Sequence, residues 1–429
     1  MDLCDMNAPE LLDTAPVETV DELQAFYDRY PYPPPVTDLN QYRQLWEEGD
    51  RLHVDHHLMW PEKGYQEDFD ILVAGCGTSQ AAKYAIRQPV ARVTGIDVSS
   101  TSLSHTQELQ RKYKLNNLQL IQLPIEHVHE LGRQFDKIIC TGVLHHLSDP
   151  DAGLRSLRAA LKPEGAMHLM VYAAYGRSGI YMLQEYCRRL GVVASEKEIE
   201  DLFTVLKELP RGHPLDYLLR ESLDFRQPGA LADALLNPRD HAYTVPQLFD
   251  YIERCGLAFG RWYRQAPYLP KCGVFASTPH AARLAKLSVQ EQYAAVELFR
   301  GTISRHSFIA YRDDRPGAPQ PIRFDDDAWQ TYVPIRQPSV ICIQKRPPPG
   351  AAAVLINQDH VDTDLFHPID SLEKRLFEAI DGTQTIAEII NSVSSSTGSH
   401  LPLERARDFF ERLWQYDHVV FYASTGVSL

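Results

Sequence analysis

From Phe69 to Ala173 the chain alternates short apolar runs with segments of helical period, and no other feature restricts its fold as tightly. DILVA at 70–74 is the first run, and RVTGI at 92–96 the second. Residues 118–123, 135–140 and 167–172 supply three more. Ser99 or Ser100 can cap a helix carrying Leu103, Leu109 and Tyr113. Asp149-Pro150 opens another with Leu154, Leu157 and Leu161 on one face, which Pro163 and Gly165 should stop. Alternation at this spacing requires right-handed crossovers, hence an α/β fold with a mostly parallel sheet and helices on both faces. Ligands bind such sheets beyond the carboxyl ends of the strands. Functional residues are therefore expected just after Ala74, Ile96, Leu123 and Cys140.

Other regions flank this unit. Residues 1–65 form an N-terminal cap segment containing FYDRYPYPPP, whose prolines impose turns or extended chain. Residues 66–280 are read as the main domain, with a mostly helical insertion at about 176–245 that could cover the strand ends. Residues 258–263 and 273–277 are expected as its last two strands, after a helix at 248–255. Residues 281–345 are read as a linking region beginning with a capping box at Ser288–Glu291, and 346–429 as a C-terminal domain. DDRPGAPQP and RPPPG mark exposed connections.

Composition removes several function classes. The net charge of −14 gives no general attraction to phosphate backbones, so nucleic acid is not the expected partner. The first residues lack a signal-peptide pattern, and no apolar run approaches the ~20 residues of a membrane span. Seven scattered cysteines without a CxxC argue against disulfides or a zinc ribbon, and the expected location is the cytoplasm. His53, His56 and His57 in HVDHH have near-ligand spacing but no second ligand cluster. They are read as a solvated helix face, with no metal expected.

Gly75-Cys76-Gly77 follows the first run directly, where glycine permits a sharp turn and close approach to a ligand. A dinucleotide fingerprint would place a third glycine where Gln80 stands. Asp97 ends the second run, where a carboxylate can hold ribose hydroxyls. These features mark a nucleoside site without the usual pyrophosphate clamp.

DILVAGCGTS, VTGIDVS, FDKIICTGVLHHLSDP and LKPEG, in that order, resemble the motifs of class I S-adenosylmethionine-dependent methyltransferases. The resemblance implies a Rossmann-like, seven-stranded sheet and S-adenosyl-L-methionine as cofactor. It places Gly75 and Gly77 beneath the methionine part, Asp97 at the ribose, and Pro124, Ile125 and Glu126 at the adenine, with Cys76 and Val98 as further cofactor-binding candidates. Thr78 and Gln80 are near enough to touch the cofactor but could equally cap the next helix. Thr141 and Gly142 would face the sulfonium side, with His145 and His146 as candidate catalytic bases. Val73 stands where the family often has an acid, and Ser79 where it often has a further glycine. Tyr27, Tyr30 and Tyr32 could fold over the sulfonium or simply pack, and His241 and Tyr243 could reach the site from the insertion. The acceptor is left open among small molecules, peptides and proteins. A nicotinamide-dependent oxidoreductase and a non-catalytic binding module are the competing readings. LEKRLFEAIDGTQTIAEII and RARDFFERLWQYDHVVFY resemble a small peptide-binding winged-helix domain, which would make the tail a site for a protein partner.

Overall fold

The computed structural model describes residues 20–47, 50–221, 223–316, 322–397 and 401–423. Residues 1–19 of the cap segment (Cys4 among them) and 317–321 of the first connection lie outside the described residues. β1 (Asp70–Ala74), β2 (Arg92–Asp97), β3 (Leu118–Gln122), β4 (Phe135–Thr141), β5 (Leu161–Tyr172), β6 (Leu257–Trp262) and β7 (Arg305–Arg312) form one sheet. Their order is β3-β2-β1-β4-β5-β7-β6. The pairings from β3 through β5 are parallel, and β7 runs antiparallel to both neighbours. The order reverses between β1 and β4, so the loops after these two strands flank a switch-point crevice.

The central strands β1 and β4 bury both faces. Leu72, Ile138, Cys140 and Leu169 face helices Pro150–Ala160 and Val245–Arg254. Ile71, Val73 and Ile139 face Arg51–Met59 and Gln80–Arg87. Asp149 caps its helix on the Ala152 N–H, and Ser99 caps Ser100–Tyr113 on the Ser102 N–H.

Two expected elements are corrected. Residues 273–277 form a 3₁₀ turn beginning with Gly273 at φ 68°, a backbone a strand cannot continue through. The seventh strand is β7, so the sheet reaches Arg312 and the boundary near 280 falls inside it. Pro163 and Gly165 do not stop the preceding helix; it ends at Ala160, and they lie in the irregular start of β5.

The insertion is helical as expected, with Ser178–Leu190, Glu196–Lys207, Asp216–Glu221 and Pro228–Leu236. Its core of Ile180, Leu183, Leu202, Leu231 and Leu235 also takes Phe26 from helix Val20–Arg29 and Tyr30, the residue after it. The N-terminal helix and the insertion thus make one roof. Asp28 fastens it by accepting from the Ser99 hydroxyl at 2.7 Å and the Thr101 N–H at 3.1 Å.

The C-terminal unit contains β8 (Val333–Arg336), β9 (Val340–Ile343), β10 (Ala353–Asn357), β11 (Phe366–Ile369) and β12 (Val419–Tyr422). β11-β10-β9 form one small sheet and β12-β8 another. Helices Ser371–Glu378, Ile386–Thr397 and Leu403–Gln415 complete it. Phe324, Trp329 and Tyr332 belong to its core, so it begins before residue 346. It is bound to the sheet domain by Asp417, which is 2% exposed. Asp417 accepts from Gln265 N–H (2.8 Å) and Ala266 N–H (3.0 Å) and pairs with Arg261 at 3.0 Å.

His56 and His57 are buried rather than solvated, packed against Trp60 and Tyr422 respectively. Burial lowers their pKa values to about 3 and about 4. Among the described residues no group of three or more His, Cys, Asp or Glu side chains is placed to hold a metal ion, and no helix is long and apolar enough to cross a membrane. Five of the described cysteines are buried free thiols, and Cys342 is partly exposed.

Candidate functional site

The chain turns sharply out of β1 through Gly75 (φ 67°) and Gly77 (φ 54°), a backbone that disfavours any side chain. A Cβ on Gly75 would lie 2.3 Å from Val143 Cγ2. A Cβ on Gly77 would lie 3.2 Å from Pro33 Cδ, because the proline-rich arm runs directly over the loop. Asp97, at the end of β2, faces the same loop. Its carboxylate accepts from the Gly77 N–H at 2.7 Å and the Ser99 N–H at 2.9 Å. Burial raises its pKa, opposed by those N–H groups. A carboxylate has about four lone-pair positions, so acceptor capacity remains for two hydroxyls.

Loop and carboxylate open into one cavity of about 810 Å³. Gly75, Cys76, Gly77, Asp97 and Val98 line it, as do Ile125 and Glu126 after β3 and Thr141 and Gly142 at the end of β4. Gln80 also lines it and donates to Thr141 Oγ1 at 2.8 Å. Two expected contacts are corrected. Thr78 is fully buried, its hydroxyl donating to Pro33 C=O at 2.8 Å, so it anchors the arm rather than a ligand. Pro124 does not line the cavity; Leu123 on its other side does.

The far wall comes from the roof. His146 lines the cavity at 1% exposure. Its Nδ1 lies 2.6 Å from Arg239 C=O. A carbonyl can only accept, so Nδ1 carries a proton, and in the neutral ring Nε2 holds the lone pair. Nε2 is buried without a hydrogen-bond partner, 3.9 Å from Asp233 Oδ1. His145 behaves differently. It is wholly buried, does not line the cavity, and stacks on Tyr172 with ring centroids 3.8 Å apart. Burial, then His146 and Arg177, push its pKa well below the usual imidazole value. It packs and is not a base for a ligand in this cavity.

Tyr27 and Tyr32 line the cavity, whereas Tyr30 is buried in the roof core. His241 and Tyr243 stop short of it: His241 N–H donates to His145 C=O at 2.9 Å, and Tyr243 stacks on Tyr251. Sequence reasoning did not single out Asp233, Tyr172, Arg177 or Arg239, all of which line the wall. It also missed the C-terminal contribution: Asp359, His360, Val361 and Asp362 reach the cavity from beyond β10. The only signal for Asp233 was an acid on an otherwise apolar helix, PGALADALL.

A switch-point cavity with a side-chain-poor loop on one side and a β2 carboxylate on the other defines an α/β nucleoside-binding protein. A methyltransferase-domain family model matches residues 72–167. The uncharacterized protein syc1184_c of Synechococcus sp. is 30% identical over 317 residues, covering 70% of this chain and 74% of its own length. The ubiquinone biosynthesis O-methyltransferase of Pseudomonas entomophila is 26% identical over 199 residues, 46% of this chain and 72% of that protein. Among solved structures, PKMT2 from Rickettsia typhi shares the fold. The TM-score is 0.61 at 16% identity, over 90% of this chain and 76% of that one. The chain belongs to the class I S-adenosylmethionine-dependent methyltransferase family, and S-adenosylmethionine is its cofactor. The family match favours methyl transfer over the oxidoreductase and binding-module readings. The side-chain-poor loop Gly75–Gly77, which lines the cavity, and the lone pairs of Asp97 fit such a molecule.

Proposed function

We propose that this methyltransferase holds its donor on the strand-end wall and its acceptor, a small molecule, peptide or protein group, on the roof wall of the same cavity. Gly75, Cys76 and Gly77 leave room for the methionine part. Asp97 and Val98 hold the ribose, Ile125 and Glu126 flank the adenine, and Thr141 and Gly142 adjoin the sulfur. The bound cofactor supplies an activated methyl group on a positively charged sulfur. The chain's own task is to align the acceptor and exclude water, which the roof of residues 20–30 and 178–236 accomplishes. His146 acts as the base: its tautomer is set by Arg239, its free Nε2 accepts the acceptor's proton, and Asp233 faces the resulting imidazolium.

The observation that carries this reading is Asp97, whose carboxylate is held by the Gly77 and Ser99 N–H groups at the lip of the cavity. Calorimetric titration with S-adenosylhomocysteine tests it. Wild type should bind, and Asp97→Asn should bind about tenfold or more weakly, as expected for a charged acceptor that has lost its charge. Unaltered affinity in the variant would sink the ribose assignment.

A further inference from the structure

We infer that the methyl acceptor is an aliphatic amine, received as its ammonium ion by Asp233 within a box of aromatic rings. This rests on the methyltransferase reading above and deepens it.

Asp233 is 3% exposed, yet it lines the cavity. Oδ1 accepts from Tyr27 Oη at 2.8 Å and Asn237 Nδ2 at 3.2 Å, and Oδ2 from Tyr172 Oη at 3.2 Å. All three donors are neutral. Burial, with Asp233 next, pushes both phenols well above their ordinary values, so they remain protonated. Among the described residues no lysine or arginine nitrogen lies within ion-pair distance of this carboxylate, and the one basic side chain that does is His146, at 3.9 Å. The nearby Arg177 is engaged by Asp240 at 3.1 Å and lies 3.4 Å over the Tyr172 ring. A buried carboxylate served only by neutral donors lacks the cation that normally offsets its desolvation.

The rings select among cations and neutral groups. Tyr27 and Tyr172 each meet the His146 ring edge-on, at 6.3 and 5.5 Å, and Tyr32 and Phe225 complete the lining. An ammonium gains from the carboxylate and from the ring faces together. A hydroxyl gains a hydrogen bond to the carboxylate but neither the ion pair nor the cation–π attraction, and an anionic acceptor is repelled by Asp233. His146 supplies the remaining step. One N–H proton moves from the ammonium to Nε2, and the bonding pair stays on nitrogen as the lone pair that methylation needs. The new Nε2–H points across to Asp233 Oδ1.

The test uses the full chain saturated with S-adenosylhomocysteine and titrated calorimetrically with n-butylammonium chloride, n-butanol and sodium butyrate. Butylammonium should bind, with the other two at least tenfold weaker. Asp233→Asn should lower butylammonium affinity at least tenfold while its affinities for S-adenosylmethionine and S-adenosylhomocysteine stay within twofold of wild type. Absence of butylammonium binding, or equal binding of butanol or butyrate, overturns the proposal. So does a variant that loses S-adenosylmethionine but keeps S-adenosylhomocysteine, which would give the carboxylate to the sulfonium instead. If Asp233→Asn fails to fold by circular dichroism, the selectivity of wild type decides alone. A wild type that does not bind S-adenosylhomocysteine would overturn the underlying methyltransferase reading and not this one.

Discussion

The strand-end wall and the roof wall of the cavity are assembled in opposite ways. On the strand-end side, Asp97 ends β2, the other residues (Gly75, Gly77, Glu126 and Gly142) follow a strand within a short loop, and backbone N–H groups do the orienting. On the roof side, Tyr27 reaches Asp233 across 206 residues, and His146 is oriented by Arg239 across 93. The first wall is a property of loops on a rigid sheet. The second exists only when the arm, the insertion and the turn after β4 are packed together. Donor binding should therefore survive damage that abolishes acceptor chemistry.

His146→Ala should separate the walls most widely. Transfer of label from the methyl donor into a cell extract should fall by about 10²–10⁴, the range for loss of a general base. S-adenosylhomocysteine affinity should stay within twofold, and a parallel loss of both would make the walls one unit.

Acid should act on the whole molecule. Burial lowers His56, His168 and His367 to about 3 and His57 to about 4, from about 6.5 when unfolded. The unfolded chain therefore binds more protons below pH 6.5. The stability of keeping these rings neutral is complete above that pH and is lost as pH falls toward 4 and then 3. Each contributes a slope of up to about 1.4 kcal/mol per pH unit. Thermal melts should show Tm falling steeply below pH 6; a flat profile would mean that the rings charge without unfolding.

Leu231 is wholly buried in the roof core, and Leu231→Ala should cost about 2–5 kcal/mol. Hydrogen exchange should accelerate in the roof helices while β1 and β4 remain protected. Uniform acceleration would show that roof and sheet unfold together. The smallest effect is expected for Tyr27→Phe, which removes one donor from Asp233 and should cost about 1 kcal/mol of stability in a denaturant titration.

The expectations that failed share a cause. His145 and His146 are adjacent on the 3₁₀ turn Leu144–His146, where successive side chains point roughly 120° apart. One enters the cavity and the other packs on Tyr172, and only the surrounding elements decide which. Thr78 follows the glycine loop and is oriented toward it in any sequence reading, but the Pro33 carbonyl of the arm takes its hydroxyl. β7 was not anticipated as a strand, since RHSFIAYR carries the buried His306 within its apolar run. His306 is accommodated there because Nδ1 meets Tyr268 Oη at 2.9 Å and Nε2 meets Tyr243 C=O at 2.9 Å. The C-terminal unit resembled a separable module, yet Asp417 and Arg300 tie it to the sheet domain and place its 359–362 loop on the cavity.

The amino-acid sequence alone was sufficient for the parallel sheet, the switch-point crevice and the glycine loop that faces a strand-end carboxylate. Strand periodicity, glycine at positive φ and a carboxylate at a strand end act over a few residues, where backbone sterics leave little choice. Tertiary packing alone decided the roof wall, the choice between two neighbouring histidines and the attachment of the C-terminal unit. Those depend on buried polar groups finding partners far along the chain, and an unpaired group in the interior is too costly to leave its position to local preference.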